Sequence, residues 1–171
     1  YTVVPLLTPD EVAELRAAYH AEVPVAAGPG GMRFDYMQDD RLAMRQVTEV
    51  VAPVWERVVP RTFTDHRVVF TTFVHKHPGP QSGMFLHDDR TFVDESQHRA
   101  HTMWVALVDT SPELDNGHMQ VVPGSHRILP AASGSRTPDW IRPYEGYLRG
   151  HLRSVTVPAG HALVYDSKTL H

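Results

Sequence analysis

The feature that most limits what this chain can fold into is the change of periodicity at Pro60. Before it, apolar residues recur at helical spacing; after it, the chain breaks into short runs rich in Val, Phe, Thr and Trp, separated by Gly, Pro, Asn and Asp. Helices followed by strands, with no βαβ alternation, argue against a doubly wound sheet and for a mainly β sandwich or jelly roll carrying N-terminal helices. On the helical side, Thr8-Pro9-Asp10-Glu11 is a capping box. Val12, Leu15 and Tyr19 continue that helix, which should fade by Glu22–Pro24. A glycine-rich loop, Ala26–Gly31, follows. A second helix is expected from Asp39 or Asp40 through Leu42, Val47, Val50, Val51, Val54, Trp55 and Val58, ended or kinked near Pro53. Strands are expected near Arg67–His75, Met84–His87, His101–Val108, Met119–Val122, Ser154–Val157 and Ala162–Tyr165. The stretch Pro123–Arg153 reads as a long loop, either a lid or a partly disordered segment.

Composition narrows the function. The chain has 171 residues, which fits one domain, with 1–60 mostly helical and 61–171 the β core. It has 12 His and no Cys, so disulfide scaffolds, thiolate zinc sites, iron–sulfur clusters and cysteine nucleophiles are excluded. A net charge of −4 without a basic block argues against nucleic acid or an anionic membrane as partner, leaving a small molecule. No apolar run is long enough to span a membrane and no signal-peptide pattern opens the chain, so a cytoplasmic address is expected. Lys76 and Lys168 are the only lysines, and the Ala/Val/Arg/Pro-rich remainder suggests GC-rich bacterial coding. The start without Met and the end at His171, in mid-pattern, suggest an excerpt of a longer protein.

Two local pairs carry possible chemistry. His87 and Asp89 sit two apart after the apolar run Met84–Leu86, and residues i and i+2 of an extended chain project to the same face. An imidazole and a carboxylate so placed need one more ligand to make a 2-His-1-carboxylate site, which holds Fe(II) and leaves open positions. His171 is the candidate, at the polar end of the apparent buried strand after Gly160. His75 and His77 form the second pair and allow a cupin-type site, although Pro78–Gln81 supplies no carboxylate. Asp94-Glu95 could meet a cationic substrate or be a solvated loop. Elbow-serine, P-loop and dinucleotide motifs are absent.

The segment Asp115-Asn116-Gly117-His118-Met119-Gln120-Val121-Val122-Pro123-Gly124-Ser125-His126 resembles the signature of the phytanoyl-CoA dioxygenase family of Fe(II)/2-oxoglutarate oxygenases. Phe73–Lys76, Phe85–Asp89, Trp104 and Gly160–His171 resemble further family features in the same order. The resemblance implies a double-stranded β-helix, with His87, Asp89 and His171 as iron ligands. It implies that Lys76 helps to hold 2-oxoglutarate and that Trp104 lines the cofactor pocket as wall. The cofactors implied are Fe(II), 2-oxoglutarate as co-substrate and O₂. The signature itself reads as a fold marker, with Gln120 and His126 as possible pocket residues.

Two departures matter. The family's Arg several residues beyond the distal His suits the far carboxylate of 2-oxoglutarate, and this sequence ends before that position; either it is truncated or an Arg elsewhere in the fold substitutes. Gly160-His161 stands where relatives often have Gly-Asp. Asp89 implies hydroxylation rather than halogenation, because halogenating relatives have a small residue there. Asp88 should point away from the metal and could orient a ligand. Gly30–Asp40 and Pro123–Arg153 are the expected substrate-contacting segments. The rival readings are a jelly-roll binding module without catalysis and a cupin-type metalloenzyme that does not use 2-oxoglutarate.

Overall fold

The structure, a computed structural model, describes residues 1–22, 31–34, 41–79, 82–89, 91–132, 134 and 137–171. The glycine-rich loop up to residue 30, residues 35–40 and Arg90 lie outside the described residues. The chain divides into two compact units, Pro5–Gly83 and Tyr1–Val4 with Met84–His171.

In the Pro5–Gly83 unit, helix α1 (Pro9–Glu22) begins at the capping box. The Thr8 N–H donates to Glu11 Oε2 at 2.8 Å and the Glu11 N–H to Thr8 Oγ1 at 3.3 Å, which satisfies two otherwise orphaned amides. Glu11 also pairs with Arg61 at 2.8 Å, tying the start of α1 to the end of helix α2 (Arg41–Thr62). Pro53 was expected to end or kink this helix, yet α2 continues through it. Pro53 faces solvent, where water can serve the carbonyl its missing N–H leaves free, while Val51, Val54, Val58 and Val59 bury the opposite side. Strand β2 (Met32–Phe34) pairs antiparallel with β3 (Val74–Lys76), opposing Met32 to Lys76. Only the last residues of the expected strand Arg67–His75 join a ladder, and residues 66–70 are exposed.

The other unit holds small antiparallel pairings. A three-stranded sheet has the order β1 (Thr2–Pro5), β7 (His161–Asp166), β4 (His101–Val105). A second ladder joins β5 (Met119–Val121) to β6 (Arg153–Val155), and Thr110 bridges Val157. The inward residues Met119, Val121, Val155, Val157, Leu163 and Tyr165 form one buried cluster with Ala106. Each large apolar side chain so buried contributes about 1.5–3 kcal/mol.

The stretch Pro123–Arg153 is not a bare loop. It contains short 3₁₀ turns at Ser125–Arg127 and Arg142–Tyr144 and a helix, α3 (Glu145–Arg149). Its Leu129 and Ile141 are buried with Leu86, Val122 and Leu170 in a second cluster. Trp140, Tyr144 and Tyr147, from the same stretch, are exposed. Small antiparallel sheets and three helices thus account for the regular structure described. No helix among the described residues is long and apolar enough to cross a membrane.

Candidate metal centre

The segment Met84–Asp89 is not a regular strand, but it pairs like one at the point that matters. His87 and His171 exchange both backbone hydrogen bonds, at 3.0 and 2.9 Å, and the Asp89 N–H donates to the Ser167 carbonyl at 2.9 Å. A reciprocal pair of this kind sets two residues directly opposite each other. Between the Asp89 and His87 partners the chain turns at Asp166–Thr169, where Asp166 Oδ1 accepts the Lys168 N–H and its carbonyl accepts the Thr169 N–H.

The three side chains expected to bind metal therefore meet. One ligand atom from each of His87, Asp89 and His171 lies within 4.8 Å of the others, and among the described residues they form the one such group. The imidazoles of His87 and His171 have their centroids 4.3 Å apart, and His171 Nε2 stands 3.7 Å from Asp89 Oδ1. In each histidine, Nδ1 lies 2.9 Å from the backbone carbonyl two residues earlier, Phe85 and Thr169 respectively. Carbonyls only accept, so Nδ1 carries the proton and Nε2 keeps its lone pair, the tautomer a metal ligand needs. Burial and the neighbouring His171 hold the His87 pKa below its ordinary value, which keeps the imidazole neutral. Two imidazole nitrogens and a carboxylate oxygen converging on one point fit a divalent metal of the iron type.

Asp89 is held by its side chain as well. Tyr165 on β7 donates its hydroxyl to Asp89 Oδ2 at 2.9 Å, and its ring lies against His171 with centroids 5.1 Å apart. Burial, and then the Asp89 carboxylate, push the Tyr165 phenol well above its ordinary range, so it stays a donor. Thr102 stands directly opposite on β4, and its Oγ1 lies 3.3 Å from Ser167 Oγ. Tyr165 was missed by the sequence reading, which treated it as the end of a core strand. A Tyr in an otherwise apolar buried strand is itself a signal, because its hydroxyl needs a partner.

Trp104, opposite Leu163, is half-buried and packs against the core cluster that contains Tyr165. Lys76 belongs to the other unit, where it ends β3; partial burial lowers the pKa of its ammonium group. Asp88 is fully buried, unlike Asp89. The signature segment acts through its serine: Ser125 Oγ accepts the Leu170 N–H and donates to the Val122 carbonyl, both at 2.8 Å, while the Val122 N–H donates to the Leu170 carbonyl. That bracket fixes the residue before His171. Gly124 makes it possible, with a φ of 82° that other residues rarely adopt. Gln120 instead points outward to Ser154 at 3.2 Å. His161 opens β7 and is not part of the convergence.

The acidic pair has structural employment: Asp94 caps a turn through the Ser96 N–H, and Glu95 accepts the Ala132 N–H at 3.1 Å. In the Pro5–Gly83 unit, His75 and His77 stand with rings 4.4 Å apart, and Tyr19 contacts His75 Nδ1 at 2.6 Å.

Two histidines and an aspartate from distant segments, joined on a small antiparallel β scaffold, define the class as a protein with a candidate 2-His-1-carboxylate metal centre. The sequence model of the family described as Phytanoyl-CoA dioxygenase (PhyH) matches residues 1–171, and the chain belongs to that family. Comparison with curated proteins and with solved structures finds no match.

Proposed function

We propose that this chain is a single Fe(II)- and 2-oxoglutarate-dependent oxygenase domain with a double-stranded β-helix core, hydroxylating an unactivated C–H bond of a small molecule. The balance is substrate C–H, O₂ and 2-oxoglutarate in, and C–OH, succinate and CO₂ out. The observation that carries the reading is the convergence of one ligand atom from each of His87, Asp89 and His171, with Nδ1 of each imidazole held by a backbone carbonyl. Family membership supports the iron and co-substrate assignment.

In this reading His87, Asp89 and His171 hold the metal, which when bound supplies the oxidising chemistry. The Phe85 and Thr169 carbonyls orient the imidazoles, and the reciprocal backbone pair keeps the two histidines in register. Lys76, by family resemblance, binds a 2-oxoglutarate carboxylate, and Trp104 walls the cofactor pocket. Asp89 favours hydroxylation, since a carboxylate fills the position that halide would need. A free amino acid or a natural-product intermediate is the proposed substrate class, handled in a bacterial cytoplasm without a nucleic-acid or membrane partner.

The test follows succinate release with iron and 2-oxoglutarate present, for the unaltered chain and for His87→Ala and Asp89→Ala. The expected result is succinate from the unaltered chain alone. Equal release from all three would overturn the metal assignment. Binding of 2-oxoglutarate without oxygen consumption would point instead to a non-catalytic module.

A further inference from the structure

We infer that Tyr165 is a positioning residue for the metal carboxylate: its hydroxyl, by engaging Oδ2 of Asp89, restricts that carboxylate to a single coordinating oxygen. The inference rests on the reading of His87, Asp89 and His171 as metal ligands.

A free carboxylate can offer a metal either one oxygen or both. At a centre with three protein ligands, a second carboxylate oxygen would take one of about three positions left for small molecules. Here the two oxygens of Asp89 have different neighbours. Oδ1 faces His171 Nε2 at 3.7 Å, whereas Oδ2 receives the phenol at 2.9 Å. The backbone of Asp89 is tied to Ser167, two residues beyond Tyr165 on the same segment, so Asp89 is held through both its backbone and its carboxylate. Tyr165 is itself well fixed. It is 3% exposed, packs among Leu163 and Val155, stands opposite Thr102 and lays its ring against His171. One side chain thus touches two of the three ligands.

The competing account is that Asp89 merely satisfies a buried phenol. Tyr165→Phe separates the two, since it keeps the ring on His171 and removes only the donor. The test titrates the metal-free chain with Co(II), whose visible absorption reports the number and kind of its ligands. Thermal unfolding of the metal-free variants is measured alongside. Tyr165→Phe is expected to bind Co(II) about 10- to 100-fold more weakly and with an altered visible spectrum. Thr102→Val, which keeps the phenol and removes the polar group opposite it on β4, is expected to show a smaller change in the same direction.

Wild-type affinity and spectrum in Tyr165→Phe would overturn the inference, whatever happens to thermal stability. If Tyr165→Phe is too unstable to titrate, an unchanged affinity and spectrum in Thr102→Val overturns it alone. Failure of the underlying metal reading looks different. In that case the unaltered chain does not bind Co(II), or His171→Ala binds it equally well.

Discussion

Ser125 shows how a residue far from any metal can govern a ligand. Its hydroxyl accepts the Leu170 N–H inside a fully buried turn, so Ser125→Ala would leave that amide without a partner. The expected cost is about 1–3 kcal/mol in a denaturant titration, together with weaker metal binding through His171. Glu11 makes a second prediction at this scale. Hydrogen bonds from Arg61 and from the Thr8 backbone lower its pKa from 4.5 to about 2. A depressed carboxyl pKa stabilises the fold fully above the unfolded value and loses that effect as pH falls through the folded one. Glu11→Ala should therefore cost about 1 kcal/mol at neutral pH, and the difference from the unaltered chain should shrink between pH 4.5 and 2. A difference that stays constant over that window would contradict the ion pair. Both residues could be read partly from sequence. The capping box is local, three residues from end to end, and so was legible. The partner of Ser125 lies across the fold, and nothing near it in the chain names Leu170.

At the scale of elements, legibility followed the same rule. Helix α1 and strands β4, β5 and β7 appear close to where composition placed them, because their periodic residues pack on one buried face. The run Met84–His87 reads as a strand, but it is irregular and pairs only where His87 meets His171. β1 and β2 were missed, since four and three residues carry too little alternation to register. The stretch Pro123–Arg153 looked loop-like because its glycines and prolines mask two buried anchors, Leu129 and Ile141. Ile141 is 1% exposed and shares a cluster with Leu86 and Leu170, the neighbours of both histidine ligands. Thr137 adds a hydrogen bond to the Leu86 carbonyl. Ile141→Ala should cost about 2–5 kcal/mol and open residues 137–152 to limited proteolysis. An unaltered cleavage pattern would show that the stretch docks by other means.

Across the whole molecule, the ligands were easier to find than their supports. His87, Asp89 and His171 are visible as residue types that bind metal, and family resemblance selected them from the 12 histidines. Tyr165, Thr102 and the carbonyls that fix the tautomers carry no such label, since their role arises only from tertiary pairing. Metal binding should act on global stability by linkage. At about 100 times its dissociation constant, a divalent ion that binds only the folded chain adds about 2.7 kcal/mol. Thermal unfolding with and without Co(II) should show the rise in the unaltered chain and not in His87→Ala. A similar rise in both would place the ion elsewhere.

The reciprocal hydrogen bonds between His87 and His171 have a consequence for the life cycle of the site. Reciprocal peptide hydrogen bonds hold the two imidazoles side by side. The ordering entropy that many small metal proteins spend on loading has here been spent already on folding. Loss of the ion would therefore leave an empty socket rather than a collapsed one. A chain stripped by a chelator should regain its metal on simple addition, with a rate set by encounter rather than by refolding.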